Sequence, residues 1–341
     1  MPFDDGDRIR LAHGFGGQLT QELIEEIILP ALTGKHGDAL TLDAAVVNDL
    51  TPPIVLSTDS FTVSPRFFPG GDIGELAVAG TVNDVAMMGG EPRYLALGLV
   101  IEEGFEVLEL RRIMASLGNA ASMAGVAVVT GDTKVVERGG IEGIVLMTTG
   151  FGSRKYGMPH PGKIAPGDAI IITGTIGDHG AAIINARENL GFSKALLSDC
   201  ASVHGLVKAA WDTVGDDVHA LRDPTRGGLA AVLNEFARDT GHTFELDEER
   251  IPLRPEVRSF LDLMGLDPLI LANEGKVVMI VAADSSEKVV DALKRNPLGA
   301  NAAIIGRVAE SAKTARVILE TPIGTRRIVE MPREAGLPRI C

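Results

Sequence analysis

The sequence predicts an α+β fold in two domains. Helical and strand patterns mix in both halves without the strict βα alternation of one doubly wound sheet. A Gly-, Pro- and Lys-rich stretch over residues 152–168 (GSRKYGMPHPGKIAPGD) interrupts them. The 341 residues suffice for two well-buried cores. These observations place an N-terminal domain at 1–152, a C-terminal domain at 153–330 and a mobile tail at 331–341.

The elements follow from local pattern. Leu19, Leu23, Ile24, Ile27 and Ile28 form one helical stripe over 18–29, and Pro30 should stop it. Upstream, His13-Gly14-Phe15-Gly16-Gly17 is either a flap over a ligand or a disordered lead-in. Ile54–Ser57 reads as a short strand that delivers Asp59 at its end. Asp72 and Glu75 have the spacing of a capping box, opening a helix with Ile73, Leu76, Ala77 and Gly80 on one face. That helix runs toward Asn83 and Asp84. A strand at 95–101, a helix at 105–124 and a strand at 126–129 lead into Gly131-Asp132-Thr133-Lys134, and another strand covers 142–149. In the second half, strands are expected at 169–173, 277–283, 303–309, 315–319 and 325–330. Helices are expected at 181–189, 203–214 and 227–240, with Thr225 as a cap of the last.

Composition narrows the function classes. Hydrophobic residues at 45% and charged residues at 23% describe a folded protein. The net charge of −14, without a basic block, disfavours nucleic acid and anionic membrane surfaces. No basic start precedes an apolar stretch, and no apolar run approaches the ~20 residues of a spanning helix, so a cytoplasmic location is expected. The two cysteines, Cys200 and Cys341, form no C-x-x-C, and the seven histidines form no H-E-x-x-H.

Four acidic residues are each expected in or beside a short loop rich in small residues: Asp43 in LDAAVV, Asp59 in STDSF, Asp84 in TVNDVAMMGGEP and Asp132 in GDTK. Carboxylates converging from several loops suit Mg²⁺, which takes hard oxygen ligands and shares them with substrate phosphates. Neither a Walker-type G-x-x-x-x-G-K-[ST] loop nor a Rossmann G-x-G-x-x-G occurs. The Gly174–Gly180 turn either offers backbone donors to phosphate oxygen or simply joins strand to helix. Asp223 or Arg226, in DPTRGGL, could face the same cleft.

Cys341 at the chain end cannot serve a core as Cys200 can, and an exposed thiol is a liability unless it is used. At ~3.3 Å per residue, an extended eleven-residue tail reaches roughly 35 Å.

The strings STDSFTV, TVNDVAMMGGEPRYL, GDTKVVERG, DPTRGGLA and ANEGKV, with the terminal PRIC, resemble the HypE family of hydrogenase maturation proteins. That family lies within the aminoimidazole ribonucleotide synthetase-like (PurM-like) superfamily, and the resemblance runs nearly the whole chain. It implies a two-domain PurM-like fold whose N-terminal domain dimerises through a β-barrel-like interface. It also implies ATP-dependent dehydration of an S-carbamoyl group on Cys341 to a thiocyanate, which supplies cyanide to the iron of [NiFe]-hydrogenase. The implied partners are the carbamoyltransferase HypF, the HypC–HypD iron scaffold complex and a second copy of the chain. Asp43, Asp59, Asp84 and Asp132 would hold Mg²⁺, with Asn83 and Gly131 completing the ATP site. Lys134 and Glu274 would share the roles of base and phosphate-stabilising cation. Glu274 is the preferred base, because Asp132 two residues away favours protonated Lys134. Relatives often pair aspartates where this chain has Leu42-Asp43, which leaves the number of Mg²⁺ ions open. The competing readings are another ATP-dependent small-molecule synthetase or kinase of the superfamily, which needs no terminal thiol, and a nucleotide-sensing carrier of the tail.

Overall fold

A computed structural model describes residues 3–4, 6–32, 44–192, 196–310 and 314–332. Asp43 and the tail with Cys341 lie outside the described residues.

The opening helix is longer than its stripe suggests. It starts as α1 (Gln18–Leu23), widens into a π-helical stretch (Ile24–Ile28) and ends as α2 (Leu29–Leu32), passing through Pro30. Proline has no N–H for the carbonyl four residues before it, which breaks most helices. Here that carbonyl, on Glu26, accepts from Arg111 Nη1 at 3.2 Å, so the helix survives its proline. Only the start of the His13–Gly17 segment packs. His13 is buried edge-on to Phe3, its Nδ1 accepts from the Arg10 N–H, and Gly14 lies where a Cβ would stand 2.8 Å from the Val135 nitrogen, whereas Phe15 is 75% exposed.

The N-terminal unit is a four-stranded sheet in the order β1-β6-β4-β5, formed by β1 (Ile54–Phe61), β4 (Gly90–Glu102), β5 (Ala127–Val136) and β6 (Ile144–Arg154). A two-stranded ribbon of β2 (Phe67–Phe68) and β3 (Gly71–Asp72) precedes α3 (Ile73–Met87). The capping expectation holds, since the Asp72 side chain accepts from the N–H groups of Gly74 and Glu75. α3 and α4 (Val107–Ala124) bury one sheet face through Leu76, Leu110, Ile113 and Leu117 against Leu95, Leu97, Leu99 and Ile101. No element of this unit covers the opposite face among the described residues, and Leu56 on it is 62% exposed.

The second unit is a seven-stranded sheet in the order β13-β12-β9-β11-β7-β10-β8. Its elements in chain order are β7 (Ala169–Ile172), α5 (Asp178–Arg187), α6 (His204–Val214), β8 (Val218–Arg222), α7 (Gly228–Thr240), β9 (Thr243–Asp247), α8 (Pro255–Met264), β10 (Val278–Val281), α9 (Ser286–Leu293), β11 (Ala303–Ala309), β12 (Val317–Glu320) and β13 (Arg326–Val329). α7 covers one face through Leu229, Leu233 and Phe236, while α6 and α9 cover the other through Leu206, Trp211 and Leu293. Covered on both sides, β7 and β10 are uninterrupted apolar runs. Ala86 and Met87, at the end of α3, belong to the core beneath α6, so the last turn of α3 is anchored in the second unit. Among the described residues no helix is long and apolar enough to cross a membrane.

Candidate active site

The end of α3 that docks on the second unit also opens the groove between the two units. A cavity of about 340 Å³ lies there, lined by Asp59, Phe61 and Asp84 from the first unit and by Asp223, Arg226 and Glu274 from the second. Each side chain is placed by its element. In β1, alternate residues turn toward α3, and Asp59 shares that parity with Ser57 and buried Phe61. The expectation that Asp59 sits after the strand is therefore corrected: β1 continues to Phe61. Asp84 approaches from α3, meets the Asp59 carboxyl and accepts from Ser57 Oγ at 2.6 Å. Asp223 follows β8 directly, and Arg226 precedes Gly227, the residue that caps α7. The expected Thr225 cap is not made; the chain turns through Gly227 and Gly228, both at positive φ, with Gly227 as the cap and Gly228 as the first residue of the helix.

Crowding sets the protonation of these acids. Burial, followed by the neighbouring Asp84 carboxyl, holds Asp59 up at about 6, with Arg226 pulling the other way. Burial and Asp84 likewise push Asp223 up to about 7. Glu274 is driven well above the ordinary carboxylate range by burial first, then by Asp223, Asp199 and Asp59, and Arg226 partly opposes them. Its Oε1 is buried without a hydrogen-bond partner. Glu274-Gly275-Lys276 is thus no solvated turn. Asp199, whose side chain is buried, accepts from the Glu274 and Gly275 N–H groups and from Lys276 Nζ at 2.9 Å.

Three of the expected site residues stand elsewhere. Asp132, Gly131 and Lys134 lie inside β5 rather than in a loop, beside a second cavity of about 190 Å³ that Gly14, Thr20 and Leu32 also line. There Lys134 Nζ pairs with Asp132 at 3.0 Å, both of them exposed. Within one chain, the structure brings together Asp59, Asp84 and Glu274 but separates them from Asp132 and Lys134. Asn83, adjacent to Asp84, has its amide taken up by backbone: it accepts from the Val203 N–H and donates to the Ala201 carbonyl. The Gly174–Gly180 turn does not line the cavity. Its Gly177 N–H donates to Asn273 Oδ1 at 2.7 Å and its Gly180 N–H to the Ala272 carbonyl.

The donor set fits a hard cation shared with phosphate. Asp59, Asp84 and Asp223 crowd one polar cavity, and burial, followed by mutual repulsion, raises the first and third toward neutrality, a strain that a bound cation relieves. Among the described residues, no three acidic, His or Cys side chains stand together closely enough to hold a metal ion by themselves. Mg²⁺ completes its octahedron with water and substrate oxygen. Asp223 and Arg226 carried no strong sequence signal; only the turn between β8 and α7 brings them to the cavity.

Comparison with known proteins adds the relationships. Residues 42–153 match the N-terminal domain, and residues 165–318 the C-terminal domain, of AIR synthase related proteins. The carbamoyl dehydratase HypE of Azotobacter vinelandii is 47% identical over 335 residues, covering 98% of this chain and 97% of its own length. The solved structure of hydrogenase maturation protein HypE in complex with ATP superimposes with a TM-score of 0.93 at 44% identity, over 97% of this chain and 99% of that one. A HypE chain from a HypE–HypF complex gives a TM-score of 0.79 at 43% identity, over 91% and 99% respectively.

Proposed function

The chain belongs to the HypE family of carbamoyl dehydratases, and from that premise we propose that the groove between its two units dehydrates a carbamoyl group carried by Cys341 at the expense of ATP. One observation carries this reading for these particular residues. Pro332, the last described residue, has its Cγ 3.8 Å from where a Cβ on Gly227 would stand, and Gly227 adjoins Arg226 on the cavity rim. The described chain thus ends beside the turn that carries Arg226 to the cavity, nine positions before Cys341, and nine extended residues span roughly 30 Å.

The chemistry follows from the groups present. The carbamoyl oxygen is a poor leaving group until the γ-phosphoryl of ATP is transferred to it; the C–O bond then breaks, phosphate departs and a nitrile remains on sulfur. Asp59, Asp84 and Asp223 would hold Mg²⁺, whose chemistry here is to neutralise phosphate charge. Arg222 and Arg226 both line this cavity; Arg222 is paired with Glu235 at 2.5 Å, which leaves Arg226 to face a departing phosphate, a role the sequence alone gave to Lys134. The carbamoyl nitrogen sheds two protons as the triple bond forms. Glu274 accepts one of them, since burial and neighbouring carboxylates raise its basicity well above that of an ordinary carboxylate, and the departing phosphate takes the other.

The two edges of the first sheet, β1 and β5, and its uncovered face support a homodimer in which two sheets close into a barrel. Pairing β1 with the partner subunit's β5 sets the partner's Asp132 and Lys134 one strand spacing from β1. On this reading the dispersed ligand set is assembled from two chains. HypF is the proposed carbamoyl donor, by analogy with the relative solved as a HypE–HypF complex, and the HypC–HypD complex the proposed cyanide acceptor.

Mass spectrometry of the C-terminal peptide after carbamoylation, with and without Mg-ATP, tests the function. An ATP-dependent loss of one water from the Cys341 adduct is expected. An adduct left unchanged while nucleotide is consumed points to a different substrate.

A further inference from the structure

Asn83 and Asp84 are neighbours on α3 but serve different sides of the groove. Asp84 faces the cavity, whereas Asn83 is 2% exposed and reaches across to the second unit. Its Oδ1 accepts from the Val203 N–H at 2.7 Å, and its Nδ2 donates to the Ala201 carbonyl at 3.0 Å. The segment it grips is fastened in turn to the Glu274 loop. Asp199 accepts from the N–H groups of Glu274 at 3.1 Å and Gly275 at 3.3 Å, and the Ala201 N–H donates to the Glu274 carbonyl at 3.3 Å. The two loops touch so closely that a Cβ on Gly275 would stand 1.8 Å from the Asp199 carbonyl oxygen. Lys276 Nζ, at 2.9 Å from Asp199, balances the buried charge at the centre of the link.

We propose that Asn83 and Asp199 are positioning residues that, through residues 199–203, hold the Glu274 carboxyl in register with Asp84 across the groove. Neither lines the cavity. Asp84 and Glu274 come from separately built units, and their relative placement needs a connection of its own. Misplacement of a reacting group by about 1 Å costs roughly 10²-fold in rate. This proposal rests on the reading of Glu274 as the proton acceptor.

The test uses the full-length chain carbamoylated on Cys341, with single-turnover dehydration followed by mass spectrometry. Asn83→Ala should lower the rate about 10- to 100-fold while changing the ATP concentration for half-maximal rate less than about threefold. In a Glu274→Gln background the same substitution should cost less than about twofold, because a residue acting through Glu274 has nothing left to position. Asp199→Asn, which keeps an acceptor oxygen for the Glu274 N–H, should give an intermediate loss with the same dependence on Glu274. It decides the question alone if Asn83→Ala does not fold. Equal losses in both backgrounds, or an unchanged rate in folded Asn83→Ala, overturns the positioning role. Full activity of Glu274→Gln by itself instead removes the proton acceptor on which the proposal rests.

Discussion

Asp59 and Asp132 project from opposite faces of one sheet, three strands apart. The register runs Asp59–Thr148–Leu97–Gly131 across β1, β6, β4 and β5, so Asp132 is one residue out of line with Asp59. Three spacings of ~4.8 Å put their strands roughly 14 Å apart, too far to share a cation whose ligand distances are ~2.1 Å.

If Asp59 and Asp132 serve one site, that separation leaves only a site shared between two subunits. Asp59→Asn and Asp132→Asn homodimers should each lose most activity. Mixed dimers of the two variants should recover about a quarter of the wild-type rate per protomer, since half the dimers in a random mixture are mixed and each holds one intact site. Mixtures no more active than the separate variants would place both residues in the same subunit's site, or outside it.

Glu274 should matter for turnover more than for nucleotide binding. Glu274→Gln preserves shape but accepts no proton, so dehydration should fall by about 10²- to 10⁴-fold while ATP affinity, read by calorimetry, stays within a few-fold. A comparable loss of ATP affinity would make Glu274 a binding group instead.

The acidic cavity should leave its mark on stability. Asp59 and Asp223 titrate in the folded chain at about 6 and about 7, above their unfolded values near ~3.9. Between those limits the folded state binds more protons than the unfolded one, so without metal its stability falls as pH rises from ~4 to ~7. Asp223→Asn should flatten part of that slope and raise the melting temperature at pH 8. Mg-ATP should stabilise the wild type at pH 8 far more than at pH 5, where protons compete for the same oxygens. Thermal denaturation across this range, with and without Mg-ATP, checks both.

Helix contact in the first unit has no slack at Gly118. A Cβ there would stand 1.8 Å from the Ala31 carbonyl oxygen, so α4 passes against the backbone of α2. Gly118→Ala, ordinarily favourable within a helix, should destabilise the chain by about 1–3 kcal/mol in denaturant titration.

Capping and periodicity carry local information, and where they sufficed the sequence was legible. Asp72 with Glu75 announced α3, and the apolar runs at 169–173 and 277–283 announced the buried strands β7 and β10. β8, β9, α8 and α9 were not announced, because short strands and helices with mixed faces give little signal until packing chooses for them. Pro30 misled for the complementary reason: its orphaned carbonyl is satisfied by Arg111, 85 positions away from Glu26.

By itself the sequence determined the mixed α+β class, the acidic inventory of the site and the family whose strings this chain shares. Tertiary structure alone decided how that inventory divides. Asp59, Asp84, Asp223, Arg226 and Glu274 meet at one groove, Asp132 and Lys134 stand on another face, and Asn83 is a clamp. The physical reason is that a motif fixes residue type and neighbours along the chain, whereas strand order and side-chain parity fix which carboxylates can reach one cation.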